Sequence, residues 1–194
     1  MSVRRRQGQG SLLGAIVCAM ILLAVPAPAG ELHSTDPHEV MAGYLRALPA
    51  YVAWPTNIFA SSQDPWQIGI LGDDPFGAIL ETVLHDRQAA GRGFQIQRAV
   101  DVKELPACQI VFIALKGEDA VKNALAEFAS RAVLTVGESN DFLENSGMIQ
   151  LQAHGTIHMS INLDRTRAAH LEIPTRMLEL ANEVVEHGVR RKLR

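Results

Sequence analysis

The run Gln109 to Leu115 (QIVFIAL) is the most apolar strand signal in the chain outside its first 29 residues, and it constrains the fold most. A strand apolar at successive positions reads as central, with both faces covered. Strand and helix signals alternate around it. Gln67 to Leu71 (QIGIL) and Phe94 to Arg98 precede it as strands, with a helical stretch from Phe76 to Leu84 between them. Ala120 to Ala129 follows as an amphipathic helix, then Val133 to Val136 as a strand and Asp141 to Glu144 as a helical turn. Met148 to Gln152 and Thr156 to Asn162 read as a hairpin around His154-Gly155. Arg165 to His170 reads as a turn of helix, and Thr175 to Glu186 as the final helix. Such alternation predicts a single three-layer α/β domain, its mixed, largely parallel sheet flanked by helices.

The first helix opens on Asp36-Pro37-His38-Glu39. Asp36 can cap, proline suits the first helical position, and Glu39 can reach back. Val40, Tyr44, Leu48, Tyr51 and Val52 recur at helical spacing and predict one apolar stripe. Pro49 should kink or tighten this helix, and Trp54-Pro55 ends it.

The N-terminus reads as an export signal. Arg4, Arg5 and Arg6 precede an apolar run from Leu12 to Val25, and Ala27-Pro28-Ala29 supplies a small-residue cleavage site. The run is shorter than the roughly 20 residues of a spanning helix. The expected organisation is a signal peptide at 1–29, a leader at 30–35, a domain at 36–187 and a basic tail at 188–194. Losing Arg4, Arg5 and Arg6 takes the 18 basic residues to 15 against 21 acidic ones, a net of −6. That balance argues against nucleic acid as a partner. The tail, Arg190 to Arg194, reads as a solvated, frayed end. Of two cysteines, Cys18 leaves with the signal, so Cys108 has no internal disulfide partner.

Signals for chemistry are sparse. Gly72-Asp73-Asp74-Pro75-Phe76-Gly77 follows a strand and opens a helix, where α/β proteins often hold ligands. It lacks phosphate-loop spacing, and two aspartates would repel a phosphate. Asp73 and Asp74 suit a turn and helix cap, or a polar contact to a ligand or partner. No His-Glu-x-x-His, thiol pair or Gly-x-Ser-x-Gly elbow occurs, so no metal, cofactor or catalytic residue is expected. Cys108 reads as a buried, inert thiol or as an exposed thiol able to pair with another molecule. Tyr51, Trp54 and Phe59 read as core packing or as an aromatic anchor for a protein partner.

Six segments in order resemble the YfiR family. They are Tyr44-Leu45 with Tyr51-Val52-Ala53-Trp54-Pro55; Ile70 to Gly77; Cys108 to Ile113; Val133 to Val136 with Phe142 and Gly147-Met148-Ile149; Ile161-Asn162-Leu163; and Arg176 to Ala181. The resemblance implies a periplasmic regulator rather than an enzyme. Its members with known roles restrain a membrane-bound diguanylate cyclase through its periplasmic domain. An outer-membrane lipoprotein can sequester the regulator, releasing cyclic-di-GMP synthesis and biofilm formation. Members are often dimeric, which makes a homodimer compatible with this chain. Two departures stand out. Arg46 to Ala50 replaces an aromatic-rich stretch, and the position that usually pairs with Cys108 falls near Gly69 or Ile70, where no cysteine stands. The rival readings are a periplasmic small-ligand sensor using the Gly72 to Gly77 turn, and a hydrolase with an unrecognised site.

Overall fold

The structure is a computed structural model that describes residues 36–193. The export signal, its cleavage site and the leader lie outside these residues, as does Arg194. The described chain builds one eight-stranded sheet in the order β2-β1-β3-β4-β5-β6-β7-β8. The strands are β1 (Trp66–Gly72), β2 (Phe94–Ala99), β3 (Ile110–Ala114), β4 (Leu134–Gly137), β5 (Ile149–His154), β6 (Thr156–Asn162), β7 (Glu183–Glu186) and β8 (Val189–Lys192). The helices are α1 (Pro37–Tyr51), α2 (Ala78–Leu84), α3 (Glu118–Phe128), α4 (Leu163–Ala168) and α5 (Thr175–Leu178). The pairs from β2 through β5, and β6 with β7, are parallel; β5–β6 and β7–β8 are antiparallel.

The period-two rule explains the layers. In β1 and β3, Ile68, Ile70, Ile110 and Phe112 join a core with Met41, Leu45 and Leu48 of α1 and Leu80 and Leu84 of α2. Leu71, Val111 and Ile113 point the other way and meet Val121, Leu125 and Phe128 of α3. Both faces of the central strands are therefore buried, as QIVFIAL required. A fully buried side chain of this size contributes roughly 1.5–3 kcal/mol. Asp36 caps α1 by accepting from the His38 N–H at 2.9 Å. Helix α1 runs on through Pro49 to Tyr51.

The C-terminus departs from the reading above. The expected helix from Thr175 to Glu186 stops after one turn at Leu178, and β7 and β8 follow as a hairpin. Val184, Val185 and Val189 favour strand, and the turn residues His187 and Gly188 have φ of 53° and 70°. Positive φ at both central residues is what a two-residue hairpin needs to match strand twist. Asp164 locks the turn by accepting from the His187 and Gly188 N–H groups at 2.9 and 2.8 Å. Nor is the basic tail frayed. Arg190 and Arg191 lie in β8, where they pair with Glu183 and Glu144 and with Glu186, respectively.

Candidate functional site

The residues singled out in sequence as partner contacts fall into three separate places. Tyr51 stands at the end of α1 and is 36% exposed. Arg176 stacks over its ring, 5.4 Å from the centroid, and donates to the Ala50 carbonyl at 3.0 Å. A cation there also complements the negative end of α1. Trp54 and Phe59 instead clasp buried Trp66, with ring centroids 5.2 and 4.8 Å from it. Trp54 Nε1 donates to the Pro49 carbonyl at 3.2 Å, satisfying an acceptor of the last helical turn. Arg92 lies 3.8 Å over Phe59. These two rings pin the segment after α1 to the start of β1.

Asp73 and Asp74 occupy the turn at the carboxyl end of β1, beside the switch point where the chain leaves for β2 and returns as β3. Gly72 has φ of 100°, and a Cβ there would lie 2.6 Å from the Ala114 carbonyl oxygen, so only glycine fits. Asp73 pairs with Lys116 at 2.6 Å in the open. Asp74 accepts from the Phe76 N–H at 2.8 Å and from Arg98 Nε at 2.6 Å. Arg98 also forks onto Glu81 at 2.7 and 3.1 Å, which holds the Glu81 carboxyl below its usual range. Both aspartates thus have cationic partners, and the turn is latched to β2 and α2.

Cys108 is buried, and burial pushes its thiol up to about 11. Its burial and raised value fit the buried, inert reading of this thiol. His154 and His158 do meet across the β5–β6 hairpin, with ring centroids 5.4 Å apart. Among the described residues, no group of three His, Cys, Asp or Glu converges to hold a metal.

A groove of about 310 Å³ runs along α1. It is lined by Val40, Tyr44, Arg46 and Tyr51 of α1, Met159 of β6, and Met177 and Leu180 near the end of α5. Val40, Tyr51 and Leu180 are 41%, 36% and 46% exposed. The stripe read from sequence spans two faces: Leu48 and Val52 are buried in the core and Tyr44 packs against it, while Val40 and Tyr51 are exposed. Met41, Ala42, Leu45 and Leu48 make the core face, and Val40, Tyr44 and Tyr51 form a second stripe beside it. A surface helix needs one apolar stripe, and α1 has two. Met177 and Leu180 lie in a segment that reads in sequence as the final helix, and the end of α5 at Leu178 is what turns them toward α1 as groove residues. The signal that could have found the groove was the width of the apolar arc on α1.

The described residues thus form an α/β domain with an open, largely apolar groove beside its first helix. The chain is a member of the YfiR/HmsC-like family, whose model matches residues 38–182. A solved structure described as a conserved domain protein from Vibrio cholerae O1 biovar El Tor shares the fold, with a TM-score of 0.51 at 13% identity. The match covers 77% of this chain and 60% of that one. No curated protein matches the sequence.

Proposed function

We propose that this protein is a periplasmic regulator that binds an inner-membrane signalling protein, a diguanylate cyclase, and restrains it. In this reading it limits cyclic-di-GMP and biofilm formation until an outer-membrane lipoprotein draws it away. Family membership over residues 38–182 supports the reading, and so does the Arg4 to Ala29 export pattern. The observation that carries it is the second apolar stripe of α1, exposed with Leu180 in a groove that the fold itself leaves unfilled.

Repression is then stoichiometric. The domain shifts the cyclase only by its difference in affinity for the two states, typically 1–3 kcal/mol for coupled sites. The test is cyclic-di-GMP in cells with and without the gene, complemented by wild type or by Leu180→Glu. Leu180 is half exposed, so the variant should fold within about 0.5 kcal/mol of wild type. The expected result is a rise in cyclic-di-GMP on deletion, reversed by wild type but not by the variant. An unchanged nucleotide level on deletion under every growth condition sinks the proposal.

A further inference from the structure

The two edges of the sheet are finished differently. Edge strand β8 has four residues, Val189–Lys192, and three of them are basic. Short length and charge are the usual protection against a stray strand. Edge strand β2 has six residues, Phe94–Ala99, without proline or lysine. Its single charge, Arg98, is turned onto Asp74, Glu81 and the Gly77 carbonyl. Strand β2 pairs with β1 only, and among the described residues its outer main-chain groups bond to nothing.

The two faces of this edge have definite and different chemistry. On one face Phe94 and Ile96 continue the core only half covered, and a groove of about 680 Å³ runs between them and the end of α2. On the other, Gln95 and Gln97 join Gln67 in an amide ladder, with bonds of 2.8 and 3.0 Å. The groove is also lined by Arg87, a cation without an ion pair among the described residues, whereas Arg98 is neutralised and His85 faces Asp86. An edge strand beside a groove under a helix end is the arrangement that binds peptides by strand addition.

We infer that β2 accepts an extended segment of a partner protein as a ninth strand. That segment alternates apolar residues, which cover Phe94 and Ile96, with amide or hydroxyl residues, which extend the glutamine ladder. It carries a carboxylate for Arg87 near one end. Main-chain bonds supply affinity and the alternation supplies register, since a one-residue slip would put every side chain on the wrong face. This surface is separate from the α1 groove and does not depend on the identity of the cyclase.

The probe is a labelled peptide of about ten residues that alternates isoleucine with glutamine or threonine and ends in glutamate. Binding is followed by fluorescence anisotropy and by hydrogen exchange with the whole protein. The expected result is saturable binding with new protection confined to 94–99. Methylating alternate peptide nitrogens should weaken it by roughly tenfold or more, as should Ile96→Lys. If Ile96→Lys lowers stability, Gln95→Lys at an exposed position replaces it. Three results would overturn the inference: no binding, binding indifferent to N-methylation, or protection appearing on α1. A dimer of the protein that already protects β2 without peptide would overturn it too, since the occupant would then be a second copy.

Discussion

Replacing Gly69 by cysteine should close a disulfide with Cys108. A Cβ built on Gly69 would lie 3.1 Å from the Cys108 sulfur, a reach that one further sulfur at about 2.05 Å from its partner can bridge. The family resemblance left Gly69 and Ile70 as alternatives. The geometry selects Gly69, because Ile70 points into the α1 core and Cys108 into the α3 core. The bond would close a loop of about 40 residues, which in the chain-entropy account stabilises by roughly 4 kcal/mol. Against this, the new Cβ would lie 2.9 Å from Leu105 Cδ2, so that leucine must turn. An off-rotamer adjustment costs about 0.5–1.5 kcal/mol, leaving a net of roughly 3. For a domain of this size that is a rise in Tm of about 6–12 °C. That rise is relative to wild type; oxidised against reduced Gly69→Cys protein, in which the leucine displacement is common to both, should differ by the full loop term, about 8–16 °C. Peptide mapping should find residues 69 and 108 joined. A folded, oxidised variant in which both remain free thiols, or which melts below its reduced form, would refute the reasoning.

Two further perturbations read other parts of the structure. Asp164 and Glu186 are held below their usual carboxylate range, Asp164 by the Gly188 and His187 N–H groups and Glu186 by Arg167. A lowered folded value gives stability that is present above the unfolded value near 4 and is lost as pH falls through the folded value. Exchange protection of the β7–β8 turn should therefore fall below about pH 4 in wild type. In Asp164→Asn it should already be low at neutral pH. Phe142 is fully buried against Gly137 and Gly147, where added Cβ atoms would collide with its ring. Phe142→Ala should cost about 3–5 kcal/mol in urea unfolding. A loss under 1 kcal/mol would mean that the α3-side core closes around the gap.

The central sheet was legible because its signal is local. QIVFIAL, the Asp36-Pro37 helix start and the hairpin at His154-Gly155 each carry their own period or turn chemistry. The segment after Thr175 was not, because a four-residue helix and two four-residue strands are each too short to display a period. The His187-Gly188 turn was the available signal, and histidine is a less common choice than asparagine for positive φ. The aromatic cluster was visible only as proximity in sequence. Nothing local to Trp54 and Phe59 shows that Trp66 lies between them, or that Tyr51 belongs on the other side of the helix end. The aspartate turn stands where its sequence placed it, but its cationic partners, Arg98 and Lys116, come from two different strand ends.

The α1 groove and the β2 edge can be occupied together. Met159 in the groove belongs to β6, and five strand intervals separate β6 from β2. At about 4.8 Å per interval the two surfaces lie roughly 24 Å apart across the sheet. Substitutions that far apart, with no shared contacts, should act independently on folding. Their effects on binding then discriminate two arrangements. If one partner spans both surfaces, Leu180→Glu and Ile96→Lys each weaken the same complex, and the double variant loses the sum of the two. If two partners use them, each variant loses one partner and keeps the other. The second outcome would make the domain a hub on which capture at one surface need not displace what is held at the other. Release of a restrained partner would then require a change carried through the sheet between them, which simple competition does not supply. Sequestration by simple competition therefore predicts the first outcome, with both surfaces meeting a single partner.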